Sequence, residues 1–249
     1  TLNGGGEPSP ALRAKVLDRA LLSARECAGE AATPLLIRAA EDEDPVVREK
    51  ALSELRELRD PRATPLALSL VETEDKSGPL AEAWRLLVSF DTPEVRQRIE
   101  RELVTGDEPA RLRVLRALGQ VEDAPLPRVV PAALREGTWE DSARIEALDV
   151  LRARGGPEHL PVLAHVAEND AAPEIRAEAV RALGESRSPA AAPALLGLLP
   201  DEPGGLSAAG PAEREVMHET IAALGHLGAP EAVPTLLRLL EEAWPLALA

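Results

Sequence analysis

The sequence predicts an all-α solenoid of about seven helix pairs. Three observations carry that expectation: a helix-forming composition, a proline that recurs every 32 residues, and an apolar column with the same period. Ala, Leu, Arg and Glu dominate the 249 residues, and all four are good helix formers. Aromatic residues make up 2% (three Trp, one Phe, no Tyr), too few to fill the pleated faces of a β-sandwich or barrel. The 45% hydrophobic content is enough for a folded core, which argues against wholesale disorder.

The recurring proline stands at Pro61, Pro93, Pro125, Pro157, Pro189 and Pro230, with spacings of 32, 32, 32, 32 and 41 residues. A fixed period of roughly 20–50 residues is the mark of stacked repeats. Each marker is expected to open the second helix of a pair, and a second proline follows one turn later at Pro65, Pro161, Pro193 and Pro234. Closing the preceding helix is an apolar residue six positions before the marker, or seven at Leu118: Leu55, Leu87, Leu118, Leu151, Leu183 and Leu224.

Four residues before this column stand Ala51, Ala83, Val114, Ala147 and Ala179, and seven before it stand Arg48, Arg111, Arg144 and Arg176. Offsets of four and seven fall on one helical face, so the first helices are amphipathic. Leu80 and Met217 replace the column Arg. Trp84 shares a column with Leu52, Leu115, Leu148, Val180 and Ile221 and reads as core.

Start signals are Asp44-Pro45, Asp60-Pro61, Thr92-Pro93 and Ser188-Pro189, each with a capping side chain before a proline at the first helical position. Stop signals are Gly119, Gly184 and Gly225, placed where a left-handed cap is wanted. Acidic residues four before the column Arg (Asp44, Asp107, Glu140) are expected to pair with Arg48, Arg111 and Arg144 and tie the inter-repeat turns.

These residues resemble a known family. The segments DPVVREKALSELRELRDPRATPLALSL, APEIRAEAVRALGESRSPAAAPALLGLL and EREVMHETIAALGHLGAPEAVPTLLRLL look like bacterial HEAT repeats of the kind also found in phycobilin lyases. The resemblance covers residues 44–243, with a degenerate first unit at about 10–42. Residues 1–9 read as a linker or an expression remnant, and 10–249 as one HEAT-repeat domain. Helix pairs that cannot bury an apolar face alone stack into one continuous core. The nine extra residues before Pro230 fall in PDEPGGLSAAGP (200–211), which has loop composition and reads as an insertion between the sixth and seventh pairs.

The formal charge is −15, from 43 acidic and 28 basic residues, and the acidic excess runs through both halves. A nucleic-acid surface must neutralise phosphates with Lys and Arg, so this balance argues against nucleic acid as partner. Cys27 is the single cysteine, so no internal disulfide or thiolate cluster forms within one chain, which fits a cytoplasmic protein. No apolar run reaches the roughly 18 residues of a membrane span.

Catalytic constellations are scarce. His159 and His165 are six residues apart, and His218 and His226 eight, unlike the i, i+4 pairing that brings two imidazoles to one metal. All four read as solvated helix residues. The acidic run EDED at 41–44 reads as an inter-repeat loop whose last Asp caps the next helix. The glycine-rich stretches follow no strand and carry no Lys-Ser/Thr, so they do not form a phosphate loop. No cofactor, metal site or catalytic residue is expected.

The resemblance implies that second helices line the concave side and that ligands bind there. Counting from the marker proline, offsets 6 and 10 are mostly apolar (Ala67, Ile99, Leu163, Leu195, Leu236; Val71, Leu103, Leu199, Leu240) and face the core. Offsets 1, 5, 8 and 12 point away and include Arg62, Arg98, Arg101, His165 and Arg238, with Arg128 and Arg135 flanking. Trp139 and Trp244 each end a second helix, either covering the edge of the adjacent repeat or standing as exposed aromatic anchors. The expected function is a non-catalytic scaffold that receives a protein segment, such as an acidic helix or tail, on this face. The alternative is an enzyme of the phycobilin-lyase or DNA-glycosylase kind. A glycosylase needs a basic groove with aromatics and a catalytic carboxylate, and the aromatics are missing.

Overall fold

The computed structural model describes residues 10–201 and 204–243, which are mainly helical with no strand among them. Two compact units are present: Thr1–Gly106 with Asp123–Pro127, and Asp107–Glu122 with Arg128–Ala249. The first unit holds three helix pairs, α1 (Pro10–Ala28) with α2 (Thr33–Ala39), α3 (Pro45–Leu58) with α4 (Thr64–Thr73), and α5 (Ser77–Val88) with α6 (Pro93–Thr105). The second holds α7 (Glu108–Gln120) with α8 (Val129–Glu136), α9 (Asp141–Arg154) with α10 (Leu160–Asn169), and α11 (Pro173–Glu185) with α12 (Ala192–Gly197). The helical turn α13 (Gly205–Ala208) lies inside the expected loop insertion, and α14 (Pro211–Leu227) with α15 (Val233–Ala243) completes seven pairs.

The apolar column forms the core. Leu55, Leu87, Leu118, Leu151, Leu183 and Leu224 are all buried, as are Ala51, Ala83, Val114, Ala147 and Ala179 one turn earlier. Small residues at that turn let neighbouring first helices approach, and each buried Leu contributes about 1.5–3 kcal/mol. First helices stack on first helices: α3 on α1 and α5, α9 on α7 and α11, and α11 on α14. Exposed ion pairs cross between them, including Arg116 with Glu146 at 3.1 Å and Arg152 with Glu185 at 3.3 Å. Pairs this exposed contribute under about 1 kcal/mol each.

Three of the four expected start caps are made. Asp44, Asp60 and Thr92 accept from the amides of Val46, Arg62 and Val95 at 2.9, 3.0 and 3.3 Å, whereas Ser188 makes no side-chain cap. Asp107 caps α7 in the same way, through the Ala110 amide at 2.9 Å. Pro125 opens no helix, because α8 starts at Val129.

The expected glycine stops are not stops. Gly119, Gly184 and Gly225 lie inside α7, α11 and α14, and none has a positive φ. Left-handed C-caps sit instead at Arg59 after α3, Gly137 after α8 and Gly228 after α14. At Gly184 the reason is packing: an added Cβ would come within 2.8 Å of Ala223 Cα on α14.

Column arginines do tie the inter-repeat turns, but to partners other than the acid four residues earlier. Arg48 makes a two-pronged contact with Glu74 at 2.7 and 2.9 Å and donates to the Asp42 carbonyl at 2.9 Å. Arg111 reaches Glu140 at 2.5 Å, and Arg144 reaches Asp170. Each therefore spans to the turn of the following pair, and at Arg48 the guanidinium fork meets the Glu74 carboxylate with both prongs. Asp44 and Asp107 are occupied as helix caps instead.

In the seventh pair the column Arg is Arg214, not Met217. Arg214 stands three residues after the opening proline, like Arg48 and Arg176, and its Nε donates to the Ala209 carbonyl at 2.8 Å. An extra turn in α14 displaces the spacing, and Met217 is buried. The last pair departs in two further places. Ile221 is exposed while Thr220 is buried, and Leu240 is exposed while Leu239 is buried.

Candidate docking face on the second helices

The face expected to bind a partner is best formed in the first unit, between α4 and α6. Val95, Ile99 and Leu103 recur every four residues and sink one side of α6 into the core. Thr92 and Pro93 fix where that helix starts. The opposite side is thereby turned outward, and with α4 it encloses a groove of about 350 Å³ lined by Leu68, Ser69, Glu72, Glu94, Gln97, Arg98 and Arg101.

Within this groove the two arginines differ. Arg98 lies over the Trp84 ring, its guanidinium carbon 5.3 Å from the centroid, and it pairs with Glu102 and approaches Glu72 at 3.7 Å. Its side chain is 14% exposed. The expectation that Arg98 projects outward is therefore corrected, since a cation held on an indole and a carboxylate belongs to the groove floor. Arg101, one turn nearer the helix end, is exposed at the rim with Gln97 and Ser69. Glu94 keeps its negative charge, because its own backbone amide and the Thr92 hydroxyl hold its carboxyl below the usual range.

Arg62 is exposed but engaged. It pairs with the buried Asp60, whose other partner is the Thr33 hydroxyl at 2.6 Å, and donates to the Glu30 carbonyl at 2.7 Å. These bonds tie the first pair to the second. Arg62 hydrogen bonds, helped by Thr33, hold the Asp60 carboxyl well below the usual carboxylate range against the opposing effect of burial.

In the second unit, Arg135 and His165 come together at the ends of α8 and α10. His165 Nε2 lies 3.2 Å from the Arg135 carbonyl, and Asn169 Nδ2 is 3.4 Å from the other ring nitrogen. They border a crevice of about 280 Å³ with Gly137, Arg144 and Asp170. Arg128 is exposed just before α8. Arg238 is half-buried and donates to the Pro200 carbonyl and to Glu242 at 3.2 Å, so it anchors α15 rather than projecting.

Trp139 is not an exposed anchor. Its ring is buried with Arg111 laid over it, which is the edge-covering role. Trp244 lies outside the described residues. Every aromatic among them, Trp84, Phe90 and Trp139, is buried. Of the histidines, His165, His218 and His226 are exposed, while burial pushes the His159 pKa down. Among the described residues no three His, Cys, Asp or Glu side chains converge as a metal site would require. None of the described helices is long and apolar enough to cross a membrane.

A second crevice, of about 330 Å³, went unread in the sequence. It lies where the insertion meets α14 and is lined in part by Leu198, Leu199, Pro200, Val216 and Met217. The extra residues before Pro230 were its one sequence signal.

A family profile described as HEAT repeats matches residues 6–83 and 132–210, and one described as a PBS lyase HEAT-like repeat matches 218–242. No curated protein matches the chain. Among solved structures, human deoxyhypusine hydroxylase in complex with glycerol aligns at 22% sequence identity, covering 93% of this chain and 89% of that one, with a TM-score of 0.36.

Proposed function

The chain belongs to the HEAT-repeat family, and from that premise we propose that it is a non-catalytic scaffold which receives a segment of a partner protein on its second helices. The docking site is the groove between α4 and α6. What supports this reading is the contrast between two sets of arginines. On the first helices, Arg25, Arg56, Arg116, Arg152 and Arg181 are paired with carboxylates of the next first helix within their own unit. At the groove, Arg101 stands exposed at the rim beside the polar Gln97 and Ser69, next to Arg98, whose guanidinium is laid over the Trp84 ring.

A preset floor with an exposed cation at its edge suits an acidic segment, because little side-chain freedom is lost when it binds. Nucleic acid is a poor fit, since stacking platforms need exposed aromatics and those described are buried. The partner is accordingly a protein bearing a carboxylate that meets Arg101.

The test compares capture from one cell extract by the parent and by the variant Gln97→Glu with Arg101→Glu. Both positions are exposed, so the variant melts like the parent. A protein retained by the parent, lost by the variant and weakened by salt supports the reading. Equal recovery on both moves docking off this groove.

A further inference from the structure

Three column arginines, Arg48, Arg111 and Arg144, each meet a carboxylate of the following turn, and Arg176 of α11 meets none among the described residues. Its seat is nevertheless the same. Arg48 turns Nη1 to the carbonyls six and five residues earlier, Asp42 and Glu43, at 2.9 and 3.0 Å, which leaves Nε and Nη2 to grip Glu74. Arg176 turns Nη1 to the carbonyls at the same two offsets, Asp170 and Ala171, at 2.9 and 3.4 Å, and its Nε and Nη2 donate to no acceptor among the described residues. The difference starts in the second helices. Glu74 and Asp170 cap the C-terminal ends of α4 and α10, whereas α12 stops at Gly197 and the residue in that place is the apolar Leu198. The crevice of about 330 Å³ lies here, lined by Arg176 and Leu198 together with the buried Leu199, Val216 and Met217.

We propose that this crevice binds a small monocarboxylate with an apolar body, whose two oxygens take the place on Arg176 that Glu74 takes on Arg48. The Nε and Nη2 edge of a guanidinium is a flat fork that matches a carboxylate with two parallel bonds. Leu199, Val216 and Met217 supply a wall against which the apolar body leaves water. The volume is at the lower end of the roughly 300–1,000 Å³ of small-molecule sites, which suits a short chain or a single ring. Glu168 and Glu213 also line the crevice and are exposed, so a second negative charge on the ligand is repelled. A dicarboxylate is thereby disfavoured. The proposal does not depend on protein docking at Arg101, which belongs to the other unit.

The test is isothermal titration of the full chain with octanoate, with octanol as the uncharged probe and suberate as the dicarboxylate of the same chain length. Octanoate is expected to bind saturably, and octanol and suberate at least about tenfold more weakly, the effect of losing one charge-assisted contact. Arg176→Gln should weaken octanoate by a similar factor. Leu198→Glu places a carboxylate where α4 and α10 carry theirs, so it should occupy Arg176 from within, lose octanoate and melt no lower than the parent, which covers the case in which Arg176→Gln fails to fold. Glu202 follows Arg176 by 26 residues, as Glu74 follows Arg48, and lies outside the described residues, so Glu202→Gln completes the set. Octanoate bound by Glu202→Gln and not by the parent overturns the proposal, because the chain's own carboxylate then holds the fork. A parent and a Glu202→Gln variant that both fail to bind overturn it as well. So does octanol binding as tightly as octanoate, or octanoate binding equally to the parent, Arg176→Gln and Leu198→Glu, since either removes Arg176 from the contact.

Discussion

The guanidinium carbon of Arg111 lies 5.6 Å from the centroid of the Trp139 ring, and that ring is 7% exposed. The same Arg111 reaches Glu140, the residue after Trp139, at 2.5 Å. One side chain from the start of α7 thus closes over the turn before α9, and the indole is a lid on the core. Trp139→Ala should cost about 3–5 kcal/mol in urea melts through lost burial and a cavity. Capture of a partner should be unaffected. A cost under about 1 kcal/mol would return Trp139 to the surface.

Three glycines in one sequence column should respond differently to alanine. At Gly184 a new Cβ would sit 2.6 Å from Ala223 Cβ and 2.8 Å from its Cα, so α11 and α14 must separate, at a cost of about 1–3 kcal/mol. At Gly225 nothing lies within 4 Å, and Gly225→Ala should gain roughly 0.5–1 kcal/mol from helix propensity alone. Gly119 meets only Val150 Cγ2 at 3.5 Å, an ordinary contact, and should fall near the Gly225 result. Thermal melts of the three variants rank them, and a stabilising Gly184→Ala would refute the close approach of the two helices.

Leu183 and Ile221 both stand at apolar positions of first helices, yet Leu183 is fully buried and Ile221 exposed. Leu183→Ala should cost about 2–5 kcal/mol. Ile221→Ala should stay within about 1 kcal/mol, because surface truncations create no cavity. Equal losses in denaturant titrations would mean that α14 is rotated from the position described.

Acid should unfold the chain from below about pH 4. Hydrogen bonds from Arg62 lower the Asp60 pKa, and those from Arg48 lower that of Glu74, relative to values near 4 in the unfolded chain. A lowered folded pKa means the native state binds fewer protons, so this stability is complete above the unfolded pKa and lost as pH falls toward the folded one. Melting temperature should be level from about pH 7 to 5 and drop steeply from 4 to 3. Asp60→Asn should start lower and drop less. A flat profile down to pH 3 would contradict the Asp60–Arg62 and Glu74–Arg48 geometry.

The helix pairs were legible because each inner repeat solves the same packing problem. Leu55 through Leu224, the small residues a turn earlier, and the capping Asp44, Asp60 and Thr92 recur at fixed spacing for that reason. The face was less legible. Arg98 and Arg101 share an outward pattern, but only the neighbouring Trp84 explains why one lies on the floor and the other at the rim.

From the sequence alone follow the repeat, its period and the buried column. These depend on contacts within one helix or between adjacent ones, and local periodicity encodes such contacts. Only the tertiary structure decided which carboxylate each column Arg meets, that Gly184 admits a helix instead of ending one, that Arg214 replaces Met217, and that Leu239 of α15 is buried where Leu240 is exposed. Those outcomes depend on which side chain of another repeat arrives within about 3–4 Å, a distance that spacing along the chain does not specify.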